Sequence, residues 1–156
     1  MLIADICIRK VVCARHATTA AGAARLMRER HVGDVVVVDR DDEARMPIGI
    51  VTDRDIVIKV VAAGIDPASV TLGELISWGD LATVQESASD ADAIRSMHDK
   101  GVRRMPVVDR GGILVGIVSL DDILPRYLGE FSKLAEVAAL AATREDAAYT
   151  PHARPA

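Results

Sequence analysis

Val32–Asp39 reads VGDVVVVD, and 70 residues later Val102–Asp109 reads VRRMPVVD. Four of the eight positions are identical. Gly49–Ile56, GIVTDRDI, has its counterpart in Gly116–Ile123, GIVSLDDI, at an offset of 67, with five identities and Thr against Ser at a sixth position. The offset shrinks by three because RDDEARMPI is longer than RGGILV. Upstream, ARLM at 24–27 stands opposite IRSM at 94–97, again at 70. The chain is one unit of about 60 residues written twice, and such duplication decides the architecture before any single element does.

The copies predict the same elements. A short apolar patch (Val11–Ala14; Ala82–Val84) comes first. A helix follows Thr18/Thr19 and runs to about His31; its twin follows Ser87 or Ser89 and carries Ala93, Ile94 and Met97 at helical spacing. Val35–Val38 and Met105–Val108 are apolar runs of four, too short for helices, and read as buried strands. A polar turn and a second strand lead into GIV. A second helix then pairs Ile56/Val60 and Val57/Val61, or Ile123/Tyr127 and Leu124/Leu128, at i,i+4.

The unit is β-α-β-β-α, joined to its copy around Thr71–Gly79. About 60 residues make a marginal domain alone. Two copies sharing a core predict an α/β fold with approximate twofold symmetry, repeat 1 spanning 1–70 and repeat 2 spanning 71–130. Residues 131–144 are Ala/Leu-rich and predict a C-terminal helix packed on a neighbour, followed by a disordered tail over 145–156. Pro106 predicts an edge or a bulge in its strand. Pro125 predicts a kink or a late start in the last helix.

Composition narrows the function. Half of the 156 residues are apolar and only 3% are aromatic, so the core is aliphatic. The net charge of −4 and the scarcity of aromatics disfavour a nucleic-acid binder. Cys7 and Cys13 cannot furnish a four-cysteine zinc site, and His16, His31, His98 and His152 show no metal-ligand spacing. No metal, cofactor or membrane span is expected. MLIADICIRK lacks the features of a signal peptide, which points to the cytosol.

The phrases HVGDVVVVD…GIVTDRDIV and GVRRMPVVD…GIVSLDDIL resemble the CBS domain, and the pair resembles a tandem CBS (Bateman) module over residues 1–130. TDRDIVIKVVAAGIDP followed by TLGEL is similar to small stand-alone bacterial two-CBS proteins, including the hypoxic-response type. The resemblance implies clefts for an adenine nucleotide (AMP, ADP, ATP, NAD or S-adenosylmethionine), a homodimer, and no catalytic activity.

It also implies site residues. In Thr52-x-x-Asp55 and Ser119-x-x-Asp122 the family's carboxylate accepts the ribose hydroxyls. The physics allows this, because one carboxylate accepts two O–H donors and a helix start favours anions. The same residues read equally well as helix caps. The family sets a basic residue against phosphate at Arg103 or Arg104; both also follow a helix end, where cations are favoured in any case. In copy one Gly33 and Asp34 stand there, and Asp34 repels phosphate unless Arg54 or another cation compensates, so the clefts are expected to differ. The backbone around Cys13–His16 and Thr83–Gln85 is where the family holds adenine. His16 either approaches a phosphate or stands solvated. The carboxylates of TDRD and SLDD read as solvated helix starts rather than a metal site.

The leading reading is a non-enzymatic adenine-nucleotide sensor. The alternatives are a protein-interaction adaptor with empty clefts and a nucleotide hydrolase, for which no nucleophile–base pair or P-loop is present.

Overall fold

The computed structural model describes residues 1–40, 44–77 and 79–148. They fall into two compact units, Met1–Leu120 and the chain from Asp121 onward.

In the first unit, β1 (Cys13–Arg15), α1 (Ala20–Arg30), β2 (Asp34–Val38), β3 (Pro47–Thr52) and α2 (Asp53–Ile56) form repeat 1. After the one-turn α3 (Leu72–Leu75), β4 (Val84–Gln85), α4 (Asp90–Lys100), β5 (Arg104–Val108) and β6 (Leu114–Ser119) repeat the pattern; α5 (Leu120–Ala148) follows in sequence and belongs, from Asp121, to the second unit. The sheets run β1-β2-β3 and β4-β5-β6, each with a parallel first pair and an antiparallel second. Register obeys the duplication: Asp34 faces Thr52 as Arg104 faces Ser119.

Caps explain the helix starts. Thr19 accepts from the Gly22 amide at 3.1 Å, and Ser89 forms a reciprocal box with Asp92. Both α1 and α4 end on a left-handed residue. In copy two it is Gly101, in copy one His31 at φ 55°.

Val35–Val38 are all fully buried because both faces of β2 are covered. Val35 and Val37 pack with Ala23 and Met27 of α1, Ile56 and Leu72. Val36 and Val38 pack with Leu114 of the other repeat, beside Val11 and Ile117. An uninterrupted valine run is what a doubly covered strand requires.

Each repeat is completed by the segment that precedes the other. The short 3₁₀ turn Ile3–Asp5 bonds to repeat 2: the amides of Ile3 and Ala4 donate to the carbonyls of Ala88 and Glu86, both at 2.9 Å. Correspondingly, the amides of Leu72 and Gly73 donate to Thr18 and His16, both at 2.8 Å. Ile3 and Leu72 are each fully buried. The glycines of the two GIV motifs make room for this exchange. A Cβ on Gly49 would stand 2.5 Å from Ile76, and one on Gly116 would stand 2.8 Å from the Cys7 sulfur. Gly49→Ala is therefore expected to destabilise the protein by about 1–3 kcal/mol through overpacking. A melting temperature unchanged from wild type would refute the close approach.

Three expectations need correction. Pro106 lies in the central strand β5, neither at an edge nor at the bulge, which falls between Val107 and Val108 and recurs at Val37/Val38 where no proline stands. In copy one the Val36 amide donates to Val12 at 3.0 Å. Pro106 has no amide to offer at the matching place, and β4 accordingly starts one residue later than β1. Second, α5 does not start late. It opens at Leu120 with Pro125 inside it, and the C-terminal helix expected over 131–144 is present as its continuation. Third, residues 145–148 continue α5, since Glu, Asp and Ala hold no breaker; the rest of the expected disordered tail lies outside the described residues.

Candidate functional site

Thr52 ends β3 and caps α2. Its hydroxyl accepts from the Asp55 amide at 3.1 Å, and Asp55 Oδ2 accepts from the Thr52 amide at 3.0 Å and the Thr52 hydroxyl at 2.8 Å. Asp55 Oδ1 meets Lys59 Nζ at 3.0 Å, and Nζ also donates to the Leu75 carbonyl at 3.2 Å. Partial burial raises the Asp55 pKa, but the Thr52 amide and hydroxyl and the Lys59 ammonium together outweigh it, so the carboxyl is held below its ordinary value. It stays ionised at neutral pH. Its contribution to stability is present above the ordinary carboxylate pKa and is lost as pH falls through the lowered one. The capping reading of this pattern is thus realised in full, and the same carboxylate also faces open space.

That space is a cavity of about 170 Å³ lined by Asp55, Lys59, Gly49, Ser77, Asp80 and Leu81 among others. The cleft is not built from one copy, as a single-repeat site would be. The carboxylate comes from repeat 1 and other parts of the wall from Leu75, Ile76, Ser77, Asp80 and Leu81, between the sheets of the two repeats in sequence. Leu81 is also a wall of a larger cavity of about 410 Å³ that includes Thr83, Gln85, Met46 and Pro47. The Thr83–Gln85 stretch therefore borders the Asp55 cavity through a shared side chain.

The remaining expected residues are placed as follows. Arg54 is exposed on α2, next to Asp55 in sequence and so not on its face. Arg103 is exposed, and its carbonyl accepts from the Leu120 amide at 2.8 Å. Arg104, at the head of β5, forms a part-buried ion pair through Nη1 with Asp34 at the head of β2. The compensating cation for Asp34 is Arg104, not Arg54, and the two repeats meet at this pair. Ser119 ends β6 opposite Arg104, and Asp122 lies in the first turn of α5. Cys13 heads β1, half-buried, and its thiol points to the Val11 carbonyl at 3.7 Å.

His16 is not brought to Thr52. β1 and β2 run in parallel, Thr52 pairs with the first residue of β2, and His16 follows Arg15, which pairs with the last. Four residues of strand separate the two ends, roughly 13 Å.

The structure adds residues that the sequence reading passed over. Lys59 is one, four positions after Asp55, the ordinary helical spacing for an ion pair. A second group lines a cavity of about 520 Å³: Arg9, Lys10, Arg30 and Arg45 above an apolar wall of Val11, Val12, Leu26 and Val32. Arg9 also pairs with Glu86 at 3.3 Å, while Arg45 Nε is buried without a hydrogen-bond partner among the described residues. Basic residues on both sides of the β1 patch were the available signal.

Comparison with known proteins decides the family. The CBS domain family model matches residues 3–62 and 72–129, once in each repeat. This chain belongs to the CBS domain family. Hypoxic response protein 1 of Mycobacterium tuberculosis is a CBS relative 38% identical over 136 residues, which is 87% of this chain and 91% of that protein. The crystal structure of Hypoxic Response Protein I with two coordinated zinc ions superimposes with a TM-score of 0.69 at 38% identity, covering 80% of this chain and 98% of that one. The uncharacterised protein MK0525 of Methanopyrus kandleri is 42% identical over 122 residues, 78% of this chain and 60% of its own length. The CBS domain protein PAE2072 from Pyrobaculum aerophilum, complexed with AMP, shares the fold with a TM-score of 0.70 at 24% identity, covering 78% of this chain and 89% of that one.

In this CBS pair no group of three or more His, Cys, Asp or Glu side chains suited to a metal occurs among the described residues. No described helix is long and apolar enough to cross a membrane.

Proposed function

We propose that this CBS pair is a non-enzymatic sensor of adenine nucleotide, AMP foremost, with ADP, ATP or NAD as the other candidates, acting as a homodimer in the cytosol. The observation that carries the reading is the Asp55 carboxylate, held ionised on the wall of a cavity that shares Leu81 with the larger space around Thr83 and Gln85. A ribose offers two hydroxyl donors to one carboxylate, and the neighbouring space suits a purine. Arg104, Lys59 and the cationic cavity at Arg9, Lys10, Arg30 and Arg45 supply charge for phosphate. Ser119 and Asp122 repeat the ribose motif in the second copy. Family membership supports the reading, and a protein of the same fold is complexed with AMP.

A ligand that binds only the folded chain raises its melting temperature. At a hundredfold excess over its dissociation constant it adds about 2.7 kcal/mol, or roughly 5–10 °C here. Thermal scans with 1 mM AMP, ATP, NAD or S-adenosylmethionine are expected to show such a shift, with AMP recovered unaltered by chromatography. If none of the four moved the transition, the sensor reading would fall. Conversion of AMP would show an enzyme. A second reading, an adaptor that binds protein through α5, is favoured by the exposure of every side chain from Phe131 to Ala141.

A further inference from the structure

Asp34 and Arg104 hold the same place in the two repeats, and the strand register says what each adjoins. Asp34 heads β2 and pairs with Thr52, while Arg104 heads β5 and pairs with Ser119. Paired residues of antiparallel neighbours have Cα atoms about 4.5–5.5 Å apart. Each member of the ion pair therefore stands beside the hydroxyl residue that opens a ribose motif, and the pair joins the two motif ends. Asp34 Oδ2 meets Arg104 Nη1 with the two side chains only 17% and 27% exposed. Salt screens a part-buried pair much less than one on the open surface.

Three carboxylates gather at this end of the first sheet. The Asp53 amide donates to the Gly33 carbonyl at 3.0 Å, and Asp53 Oδ2 lies 3.5 Å from where a Cβ on Gly33 would stand. Asp55 is engaged by Thr52 and Lys59, and Asp34 by Arg104. The Arg104 guanidinium thus already holds a carboxylate before any ligand arrives. Its planar fork carries five N–H donors, so it can keep Asp34 on Nη1 and present others to one phosphate. Once Asp34 and one phosphate share the guanidinium its charge is neutralised, and each further phosphate meets Asp34 as a fixed like charge. A site discriminates by what it repels as well as by what it attracts.

We propose that Asp34 is a specificity-determining residue of the nucleotide clefts: it limits the phosphate charge they accept, so that an adenine ligand with one phosphate is taken in preference to a triphosphate. The inference rests on the adenine-nucleotide reading and names the class of nucleotide within it.

The test is calorimetry with adenosine, AMP and ATP, free of divalent cations, on the full-length wild type and Asp34→Asn. Asparagine keeps the shape and the acceptor for Arg104 and removes the charge. The wild type is expected to bind AMP about tenfold or more tighter than ATP. Asp34→Asn is expected to leave adenosine within about twofold, to tighten AMP by about threefold and to tighten ATP by about tenfold or more, in the order of ligand charge. Asp39→Asn removes the same charge beyond the far end of β2, where Asp39 follows Val38, and is expected to leave all three affinities as they are. In the wild type alone, the preference for AMP over ATP should narrow as salt rises from about 0.05 to about 0.5 M. If none of the three ligands bound the wild type, the adenine-nucleotide reading would end and this proposal with it. ATP bound by the wild type as tightly as AMP, a preference indifferent to salt, or an effect of Asp34→Asn that was equal for all three ligands or matched by Asp39→Asn, would overturn the role of Asp34 while leaving that reading standing.

Discussion

Asp55→Ala is expected to raise the dissociation constants of AMP and adenosine alike by about a hundredfold at the repeat 1 cleft, since hydrogen bonds to a charged group are worth roughly 1.5–3 kcal/mol and two ribose hydroxyls are served. The equal loss is diagnostic, because ribose is common to both ligands. Arg104→Ala makes the contrasting arm. It is expected to weaken AMP by about tenfold and to spare adenosine, on the same scale for one charged contact. It also leaves Asp34 without its partner, so the double variant Asp34→Ala/Arg104→Ala separates lost attraction from the repulsion of a bare Asp34. Calorimetry on these proteins decides. If Asp55→Ala left both affinities intact, the carboxylate would be a cap and nothing more. Because Thr52 and Lys59 hold Asp55 below the ordinary carboxylate range, its share of binding should be constant from pH 8 down to about 5 and disappear only in stronger acid.

Leu72→Ala is expected to cost about 2–5 kcal/mol and to lower the melting temperature by roughly 10 °C. Leu72 is fully buried within the core of repeat 1, among Ala23, Met27, Val35 and Val51. Its truncation therefore empties volume in a repeat to which it does not belong by sequence order. Hydrogen exchange locates the damage. The amides of Ala20 and Ala21, which donate to Val70 and Pro67 at 2.9 Å, should exchange faster, and those of Ala93 and Val102 in repeat 2 less so. Equal loosening in both repeats would contradict the assignment of α3 to the first.

The internal duplication made the two sheets, their strand order and the matched positions of Thr52 and Ser119 legible, because strand register follows from buried faces and those faces were written twice. What stayed hidden belongs to contacts between distant segments. Ile3 and Leu72 seal the opposite repeats from pieces one turn long, below the length at which periodicity speaks. Asp34 looked like a repulsive charge when each copy was read alone, yet the facing arrangement of the repeats gives it Arg104. His16 is close to Cys13 in sequence, but the parallel course of β1 carries it to the end of the sheet away from Thr52. Lys59 was visible as an i,i+4 partner of Asp55 and was passed over because the motif ended at the carboxylate. Pro125 predicts a kink or a late start in the last helix; α5 opens at Leu120 with Pro125 inside it, so the late start is not what the chain adopts.

The exchange of leading segments has a kinetic consequence. Residues 3–8 must find partners at 86–88 and 117, so the contacts that finish repeat 2 close a loop spanning nearly the whole of the first unit. Such closure is entropically late. During synthesis repeat 1 waits for Leu72 to emerge, while Ile3 and Ala4 wait for residues 86–88 and Ile8 waits for β6. Folding of this unit is thereby tied to its last strand, and a nascent chain halted before Leu72 exposes the unsealed aliphatic core of repeat 1.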